Sequence, residues 1–356
     1  MSRIEIIPET IQLLKMDDEV YFSEQYRDYI SNSRLGLIDL NDTEGSIEKY
    51  LSGFDNAYNA SFELGSAIHA TTLQNDSFYI STFRKPGGKL GLFIEKVYAL
   101  RNKGLTIQEA INKGSSEADY YAGKLSGTRL KTAIKTGISY YHYLGNDAQI
   151  EMECNKPKTP IYLSDVSNKS YVGVMDEIKR NTEMIKLLNP EEYLIGYESY
   201  NEYAILCEVN VYLDDESTIR LKIKGKLDNF IIDHASNLLI LNDLKTTSKP
   251  VSFFMGNNVK VIDDENKSVW KWFDGSFQKY HYARQMGMYL WLLQCAIQKE
   301  FGLTYKSQVN IMVVETSNTF GSKVYPVIGK HIKKGLDEMK QLLICVAEWK
   351  KNQLIP

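Results

Sequence analysis

The sequence predicts an α/β fold in which a central mixed sheet is flanked by helices and preceded by a largely helical portion. Two observations support this fold class. Between residues 193 and 213, apolar and polar residues alternate with the period of two that is typical of strands, and two further strands are expected before residue 247. After residue 277, an apolar helix, short strands and a charged final helix are expected in turn, and strands framed by helices indicate an α/β core.

The N-terminal portion is expected to be mainly helical. Helices are predicted over residues 62–74 and, with breaks at several glycines, over most of residues 90–144. A charged amphipathic helix is predicted over residues 166–188. The Asn-Pro pair that follows is expected to end it. Residues 156–165 contain two prolines and are predicted to form a loop.

The second half supplies the strands of the predicted sheet. Three strands are expected first, with a turn at residues 234–237 between the second and the third. Residues 270–273, which are rich in tryptophan, are predicted to lie in a loop before the long apolar helix that ends at Gly302. The predicted strands are residues 193–213, 220–233, 237–246, 309–315 and 324–328, and the predicted helices are residues 277–301 and 330–352.

The change of pattern near residue 190 also predicts the organisation of the chain. Residues 1–190 are expected to form the helical portion, and residues 191–356 the core that contains the sheet. Because the predicted site described below draws on both, we expect the two portions to form one integrated domain.

Composition limits the class of protein. The chain has 356 residues, 43% of them hydrophobic, so it can bury a sizeable core. The net charge is −3, so any contact with nucleic acid needs a local basic channel. No secretory signal or membrane-length apolar run is visible, which predicts a cytoplasmic protein without membrane contact. The four cysteines form no C-x-x-C pair, which argues against zinc and iron–sulfur sites.

The hairpin formed by the second and third predicted strands contains two aspartates and a lysine. Asp243 and Lys245 point to the same face of their strand, since side chains alternate with period two. A turn centred near Ala235 would place Asp228 opposite Asn242, one residue from Asp243. A bulge or a shift of one residue would then bring the two carboxylates together.

Two carboxylates at close range repel each other unless a cation lies between them. Mg²⁺ prefers oxygen ligands, can polarise a phosphate and lowers the pKa of water, and Lys245 could orient that water or balance the developing charge. The alternative is an ordinary solvated hairpin. Against it, Ile231-Ile232 and residues 238–241 make both strands apolar on both faces, as in buried strands, where charges are costly unless they are paired or metal-bound.

The residues of this hairpin resemble a known nuclease family. Gly225-Lys226-Leu227-Asp228, followed by Asp243-Leu244-Lys245-Thr246, resembles the G-x-x-D and D-x-K-T motifs of the PD-(D/E)XK nuclease superfamily, particularly its RecB-like branch. The resemblance implies a restriction-endonuclease-like core. It also implies that Asp228, Asp243 and Lys245 are catalytic and that Asp228, Asp243 and Leu244 contribute metal ligands.

Other residues match the same branch. Gly65 to His69 resembles a helix whose histidine binds the metal, although His69 alone would more often make a structural hydrogen bond. Gln285 and Tyr289 resemble the Q-x-x-x-Y helix; spaced four apart, they share one helix face. The resemblance implies that Gln285 and Tyr289 hold the DNA strand or support the hairpin. The alternative is that Gln285 is a hydrogen-bonded core amide and Tyr289 an ordinary core aromatic residue.

The accessory acid has two candidates. Glu208, on the strand before Asp228, resembles the acidic residue of the family's preceding strand and is expected to act in catalysis. Glu198, which begins the same strand, is its competitor.

The order of these elements, with an opening at Ser31 to Leu35, resembles phage and prophage exonucleases of the exodeoxyribonuclease VIII type. This implies a Mg²⁺-dependent exonuclease, with Mn²⁺ able to substitute, that acts on linear duplex DNA ends in phage-type recombination or repair within a bacterial or phage-infected cell. A single-strand annealing protein is the implied partner and a homo-oligomeric ring the implied assembly. The alternatives are a structure-selective endonuclease on the same core and a non-catalytic module that binds DNA or protein.

Overall fold

The computed structural model describes residues 3–38, 43–52, 60–84, 88–120, 158–192, 196–262, 267–317 and 319–354. The chain forms two compact units. The first unit consists of Met1–Ala57 and Glu177–Pro356, and the second of Tyr58–Asp176. The division at residue 190 and the single integrated domain that the sequence suggested stay predictions.

The secondary structure of the described residues is numbered in chain order. The strands are β1 (Arg3–Ile6), β2 (Gln12–Lys15), β3 (Phe78–Arg84), β4 (Thr159–Leu163), β5 (Tyr197–Tyr212), β6 (Thr218–Asp233), β7 (Leu238–Thr247), β8 (Asn257–Ile262), β9 (Ser268–Phe273), β10 (Lys306–Glu315) and β11 (Ser322–Pro326). The helices are α1 (Asp18–Tyr21), α2 (Asn32–Leu35), α3 (Thr43–Ser52), α4 (Ala60–Leu73), α5 (Gly88–Asn102), α6 (Ile107–Glu117), α7 (Asp165–Arg180), α8 (Thr182–Leu188), α9 (Ser276–Lys279), α10 (Tyr282–Phe301) and α11 (Gly329–Leu354).

The first unit is built around a mixed sheet. Among the described residues it has seven strands, in the order β1-β5-β6-β7-β10-β11, with β2 also paired to β5. β7 and β10 run parallel, and the other neighbouring pairs are antiparallel. A parallel pair needs a crossover connection, and here the segment between β7 and β10 contains α10.

Helices α10 and α11 pack together and bury one face of this sheet. Met286 and Leu293 of α10 and Leu342 of α11 are fully buried in one apolar cluster with Phe230 and Leu241 of the sheet. The helix axes approach closely at Gly287, where an added Cβ would lie 2.6 Å from the backbone nitrogen of Leu336. The predicted α/β class, a central mixed sheet flanked by helices, is therefore confirmed.

The second unit contains the predicted helix of His69, which is α4, and a parallel strand pair formed by β3 and β4. α5 packs on α6 through Phe93 and Val97. Of the predicted glycine breaks, the one at Gly104 is present, since Gly104 has a φ of 89° and separates the two helices, whereas the one near Gly114 is wrong because α6 continues through it. The expected helical structure over residues 121–144, like Cys154, lies outside the described residues.

Three local predictions are wrong. Residues 166–188 form two helices, because the side chain of Asn181 accepts hydrogen bonds from the backbone of Glu183 and Met184 and starts a second helix. The predicted loop at residues 156–165 contains β4, which pairs in parallel with β3 although it contains a proline. The predicted loop at residues 270–273 is part of β9, which forms an exposed antiparallel hairpin with β8.

Among the described residues, none of the helices combines the length and the apolar character needed to cross a membrane.

Candidate metal centre

The β6–β7 hairpin fixes the register of the two aspartates. β6 ends at Asp233 and β7 begins at Leu238, with Asn237 in the left-handed region at a φ of 51°. Asn229 pairs with Asn242, so the observed register is shifted by one residue from the simple turn-centred expectation. Continued by one residue, it sets Asp228 opposite Asp243. The sequence left this register open, because only the conformation of the turn decides it.

The backbone pairing of β6 with β7 ends beside Asp228. The pair Asn229 and Asn242 is the last one of the ladder, and the backbone N–H of Leu244 instead donates to Oδ2 of Asp228 at 2.7 Å. The carboxylate of Asp228 thus takes the place of a backbone acceptor where the strands separate. This hydrogen bond to β7 fixes the orientation of the Asp228 side chain.

Asp243 lies in a closely packed polar cluster. Its side chain is 1% exposed and forms an ion pair with Lys245, whose Nζ is 2.6 Å from Oδ2 of Asp243. Gln285 of α10 donates from Nε2 to Oδ1 of Asp243 at 3.2 Å. The ammonium of Lys245 also lies 5.3 Å from the centre of the Tyr282 ring, in cation–π geometry.

The electrostatics of this cluster hold Lys245 in its charged form. Burial lowers the pKa of Lys245, but the carboxylates of Asp243 and Asp228 outweigh that effect, and the net pKa is raised well above its usual value. Burial also raises the pKa of Tyr289, with Asp243 adding to the effect, so its hydroxyl stays protonated.

Tyr289 is held beside β6 at Gly225. A Cβ on that glycine would lie 3.0 Å from Cε1 of Tyr289, so the absence of a side chain lets the ring approach the strand. Of the predicted site residues, the structure therefore brings together Asp228, Asp243, Lys245, Gln285 and Tyr289, with Leu244 bonded to Asp228.

Glu202 joins these residues, although sequence reasoning missed it. Its φ of 58° is left-handed and interrupts the regular strand between the pairs Asn201–Asn229 and Tyr203–Leu227, which sets Glu202 opposite Asp228. Possible ligand oxygens of Glu202 and Asp228 lie within 4.8 Å of each other. Only the register of β5 on β6 could have identified Glu202, because its strand contains two other glutamates and no sequence motif marks this one.

Glu202 behaves as a buried acid beside a second carboxylate. Its side chain forms an ion pair with Lys226, whose Nζ lies 2.7 Å from Oε2 of Glu202. Burial first, and then the charge of Asp228, raise the pKa of Glu202 to about 7, while Lys226 opposes them.

The two acids that the sequence favoured lie elsewhere on β5. Glu208 is opposite Lys222 and pairs with Arg220, whose Nε is 2.5 Å from Oε2 of Glu208. Six strand residues separate Lys222 from Asp228, which corresponds to roughly 20 Å. Glu198 is opposite Ile232, in the other direction along the strand, and lies 3.5 Å from Nε2 of His234.

The start of α10 is anchored by a buried arginine. Arg284 is 4% exposed and donates from Nε to Oδ1 of Asn32 at 2.9 Å and from Nη1 to Oε1 of Glu338 at 2.9 Å. Asn32 belongs to the opening segment singled out in the sequence, and Ser31 caps its short helix. These contacts fix the helix end that carries Gln285 towards Asp243.

The donor set fits a hard divalent cation. Glu202, Asp228 and Asp243 offer carboxylate oxygens, which are the ligands that Mg²⁺ and Mn²⁺ take. The raised pKa of Glu202 reflects the cost of holding buried acids close together, and a bound cation would remove that cost. His69 lies on α4 in the second unit, and its role as a metal ligand stays a prediction, as does that of Leu244.

Comparisons with known proteins add little to this geometry. No protein-family model matches the chain, and no curated protein matches it. Among solved structures, the chain is similar to a crystal structure of a candidate exonuclease from Eubacterium rectale, with a TM-score of 0.43 and 11% sequence identity. The similarity covers 93% of this chain and 86% of that chain.

Proposed function

We propose that this protein is a metal-dependent deoxyribonuclease of the PD-(D/E)XK type. One observation carries the proposal: the carboxylate of Asp228 lies close to that of Glu202 and opposite Asp243, and Asp243 forms an ion pair with Lys245. Acidic oxygens with one fixed cationic side chain are suited to phosphodiester hydrolysis with a divalent cation. The match of Asp228, Asp243 and Lys245 to the family motifs supports the same reading.

The chain's own groups divide the chemical tasks. A bound Mg²⁺ would polarise the scissile phosphate and lower the pKa of a water. Lys245 stays protonated at neutral pH. Burial lowers its pKa, but Asp243 and Asp228 raise the pKa by more than burial lowers it. Lys245 therefore donates hydrogen bonds and stabilises negative charge on the phosphate, and it is not a general base in the resting state. Gln285 keeps Asp243 in place through Oδ1.

The substrate follows from the family resemblance. We propose that the protein degrades linear duplex DNA from its ends in phage-type recombination or repair, with Mn²⁺ able to replace Mg²⁺. An annealing protein as partner, a ring-shaped homo-oligomer and a bacterial or phage-infected host cell belong to the same proposal. Glu202 takes the role of accessory acid in it, in place of Glu208.

The decisive experiment compares DNA forms and metal conditions. End-labelled linear duplex and closed circular duplex are incubated with the protein in Mg²⁺, in Mn²⁺ and in EDTA. We expect loss of the linear DNA in either cation, no loss in EDTA and intact circles. Equal degradation of circles would replace the exonuclease with an endonuclease. The absence of any metal-dependent cleavage would leave a non-catalytic module and refute the proposed activity.

A matched pair of variants tests the site itself. Lys245→Ala removes the cluster lysine, and Lys306→Ala removes an exposed lysine at the other end of the β7–β10 pair, where Lys306 faces Leu238. We expect Lys245→Ala to lower the cleavage rate by about 100-fold or more, comparable to the loss of one electrostatic group in an active site. Lys306→Ala should cleave at the rate of the unaltered protein, and equal activity in both variants would exclude the proposed role of Lys245.

A further inference from the structure

Five side-chain amides form one hydrogen-bonded row across the central sheet. Asn310 of β10 donates to Asn242 of β7 at 2.9 Å, Asn242 donates to Asn229 of β6 at 2.6 Å, and Asn229 donates to Asn201 of β5 at 2.7 Å. Gln308 continues the row by donating to Oδ1 of Asn310 at 3.2 Å. The strand registers pair the four asparagines directly, so the row crosses four neighbouring strands.

The row is buried and polar in an otherwise apolar setting. Asn229 and Asn242 are 0% exposed and Asn310 is 1% exposed, while Asn201 is half-buried. Phe230 and the residues that pair with it belong to the apolar cluster under α10 and α11, so the asparagines, one position along each strand, point to the other face. A buried amide is tolerated only when its donors and acceptors are used, and here each amide uses its neighbour.

The row lies next to the proposed site in every strand that supplies a carboxylate. Asn201 precedes Glu202, Asn229 follows Asp228, and Asn242 precedes Asp243. Each of these three asparagines is therefore one residue from an acid, and Asn310 of β10 is joined to them through Asn242. Whatever aligns the amides across the strands also aligns the carboxylates.

The amides allow a single alignment of the strands. β6, β7 and β10 each contain one asparagine, so these can meet in one register. A slip of one residue between β6 and β7 would separate Asn229 from Asn242 and turn Asp243 away from Gln285. Apolar residues in the same places would pack almost equally well in several registers, whereas buried amides without partners are penalised.

We infer that Asn201, Asn229, Asn242 and Asn310 are positioning residues that lock the strand register in which Glu202, Asp228 and Asp243 face one another. This inference rests on the proposed function for its catalytic consequence. Its structural content, the alignment of Asp228 with Asp243, can be measured without metal or DNA through the N–H of Leu244, which donates to Asp228.

Two substitutions on β10 form a matched test. Met312 pairs with Leu244, and Asn310 and Val314 lie two residues to either side of Met312, both fully buried. Asn310→Leu breaks the row at its bond to Asn242, whereas Val314→Ala removes packing at the same distance without touching an amide. Hydrogen exchange of the Leu244 amide is measured in both, in EDTA, and normalised to the global stability of each variant.

We expect Asn310→Leu to speed the normalised exchange of the Leu244 amide by about tenfold, the effect of weakening one hydrogen bond, and Val314→Ala to leave it unchanged. The affinity for Mn²⁺, measured by calorimetry, should fall in Asn310→Leu and not in Val314→Ala. Equal exchange in the two variants would overturn the inference.

Two further outcomes keep the test decisive. If Asn310→Leu does not fold, Asn201→Ala at the half-buried end of the row replaces it, and unchanged exchange at Leu244 in that variant would overturn the inference. If the unaltered protein binds no Mn²⁺ while Asn310→Leu still speeds the exchange at Leu244, the register lock stands and the proposed metal-dependent function fails.

Discussion

Oδ2 of Asp228 accepts a hydrogen bond from the backbone N–H of Leu244 at 2.7 Å, beside the last backbone pair of the β6–β7 hairpin. One carboxylate therefore closes the hairpin and also contributes negative charge to the proposed metal site. A backbone acceptor in the same place would hold the strands but could not balance a cation. Substitutions that keep the acceptor and remove the charge can separate these two roles.

The first prediction concerns Asp228→Asn and Asp228→Ala. The amide oxygen of Asp228→Asn can still accept from Leu244, so the free energy of unfolding should stay close to that of the unaltered protein. Asp228→Ala leaves the N–H of Leu244 without this acceptor and should cost about 1–3 kcal/mol. Both should lose divalent-cation affinity and cleavage.

Urea denaturation in EDTA, together with calorimetric titration with Mn²⁺, measures the two effects separately. If Asp228→Asn binds Mn²⁺ as tightly as the unaltered protein, Asp228 is not a metal ligand. If both variants are equally stable, the bond to Leu244 does not contribute to the stability of the hairpin.

The second prediction is a pH dependence that originates at Glu202. Burial and Asp228 raise its pKa from 4.5 to about 7, so the folded metal-free protein binds a proton there that the unfolded chain releases at a lower pH. The stability due to Glu202 is therefore fully present below pH 4.5 and is lost as the pH rises through about 7. The total loss is up to roughly 3 kcal/mol.

Glu202→Gln serves as the comparison, because it keeps an acceptor for Lys226 but has no titrating group. The difference in unfolding free energy between the two proteins is measured in EDTA from pH 4 to 8. It should change across this interval in favour of the glutamine variant as the pH rises. A difference that is constant with pH would contradict the raised pKa of Glu202.

The sequence allowed the hairpin to be predicted because local chemistry decides it. The turn at residues 234–237 and the apolar runs beside it are local signals, and the motif residues Asp228, Asp243 and Lys245 lie within one hairpin. The spacing of Gln285 and Tyr289 on one helix face is also local. In the structure, these are the residues that come together.

Glu202 could not be found in this way, because its position depends on non-local pairing. It lies opposite Asp228 only through the register of β5 on β6, and its left-handed φ breaks the alternation on which a sequence argument relies. β4 and β9 were missed for a related reason. Each is a short strand whose partner, rather than its own pattern, determines that it is extended.

The third prediction tests the pairing of Lys245 with Asp243. Asp243 is 1% exposed, so Lys245→Met would leave a buried carboxylate without its ion-pair partner. We expect a loss of about 3 kcal/mol in the unfolding free energy in EDTA. Adding Asp243→Asn to Lys245→Met should restore part of this stability, because the neutral amide keeps an Oδ1 for Gln285.

A double-mutant cycle of these variants gives the interaction free energy directly. Losses that simply add, with no recovery in the double variant, would contradict a stabilising contact between the two side chains. All three variants should be inactive in cleavage, which separates the stability of the pair from its use in catalysis.

The fourth prediction concerns the helix crossing that holds α10 against the sheet. A Cβ at Gly287 would lie 2.6 Å from the backbone nitrogen of Leu336 and 2.8 Å from the carbonyl oxygen of Ile332, so Gly287→Ala forces α10 and α11 apart. Overpacking of this kind costs about 1–3 kcal/mol, and it should also weaken Mn²⁺ binding because α10 carries Gln285.

Gly329→Ala is the control, since a Cβ there meets nothing within 4 Å. Thermal unfolding and Mn²⁺ titration of both variants measure the effects. If Gly287→Ala binds Mn²⁺ as tightly as Gly329→Ala despite a lower stability, the placement of α10 on α11 does not control the geometry around Asp243.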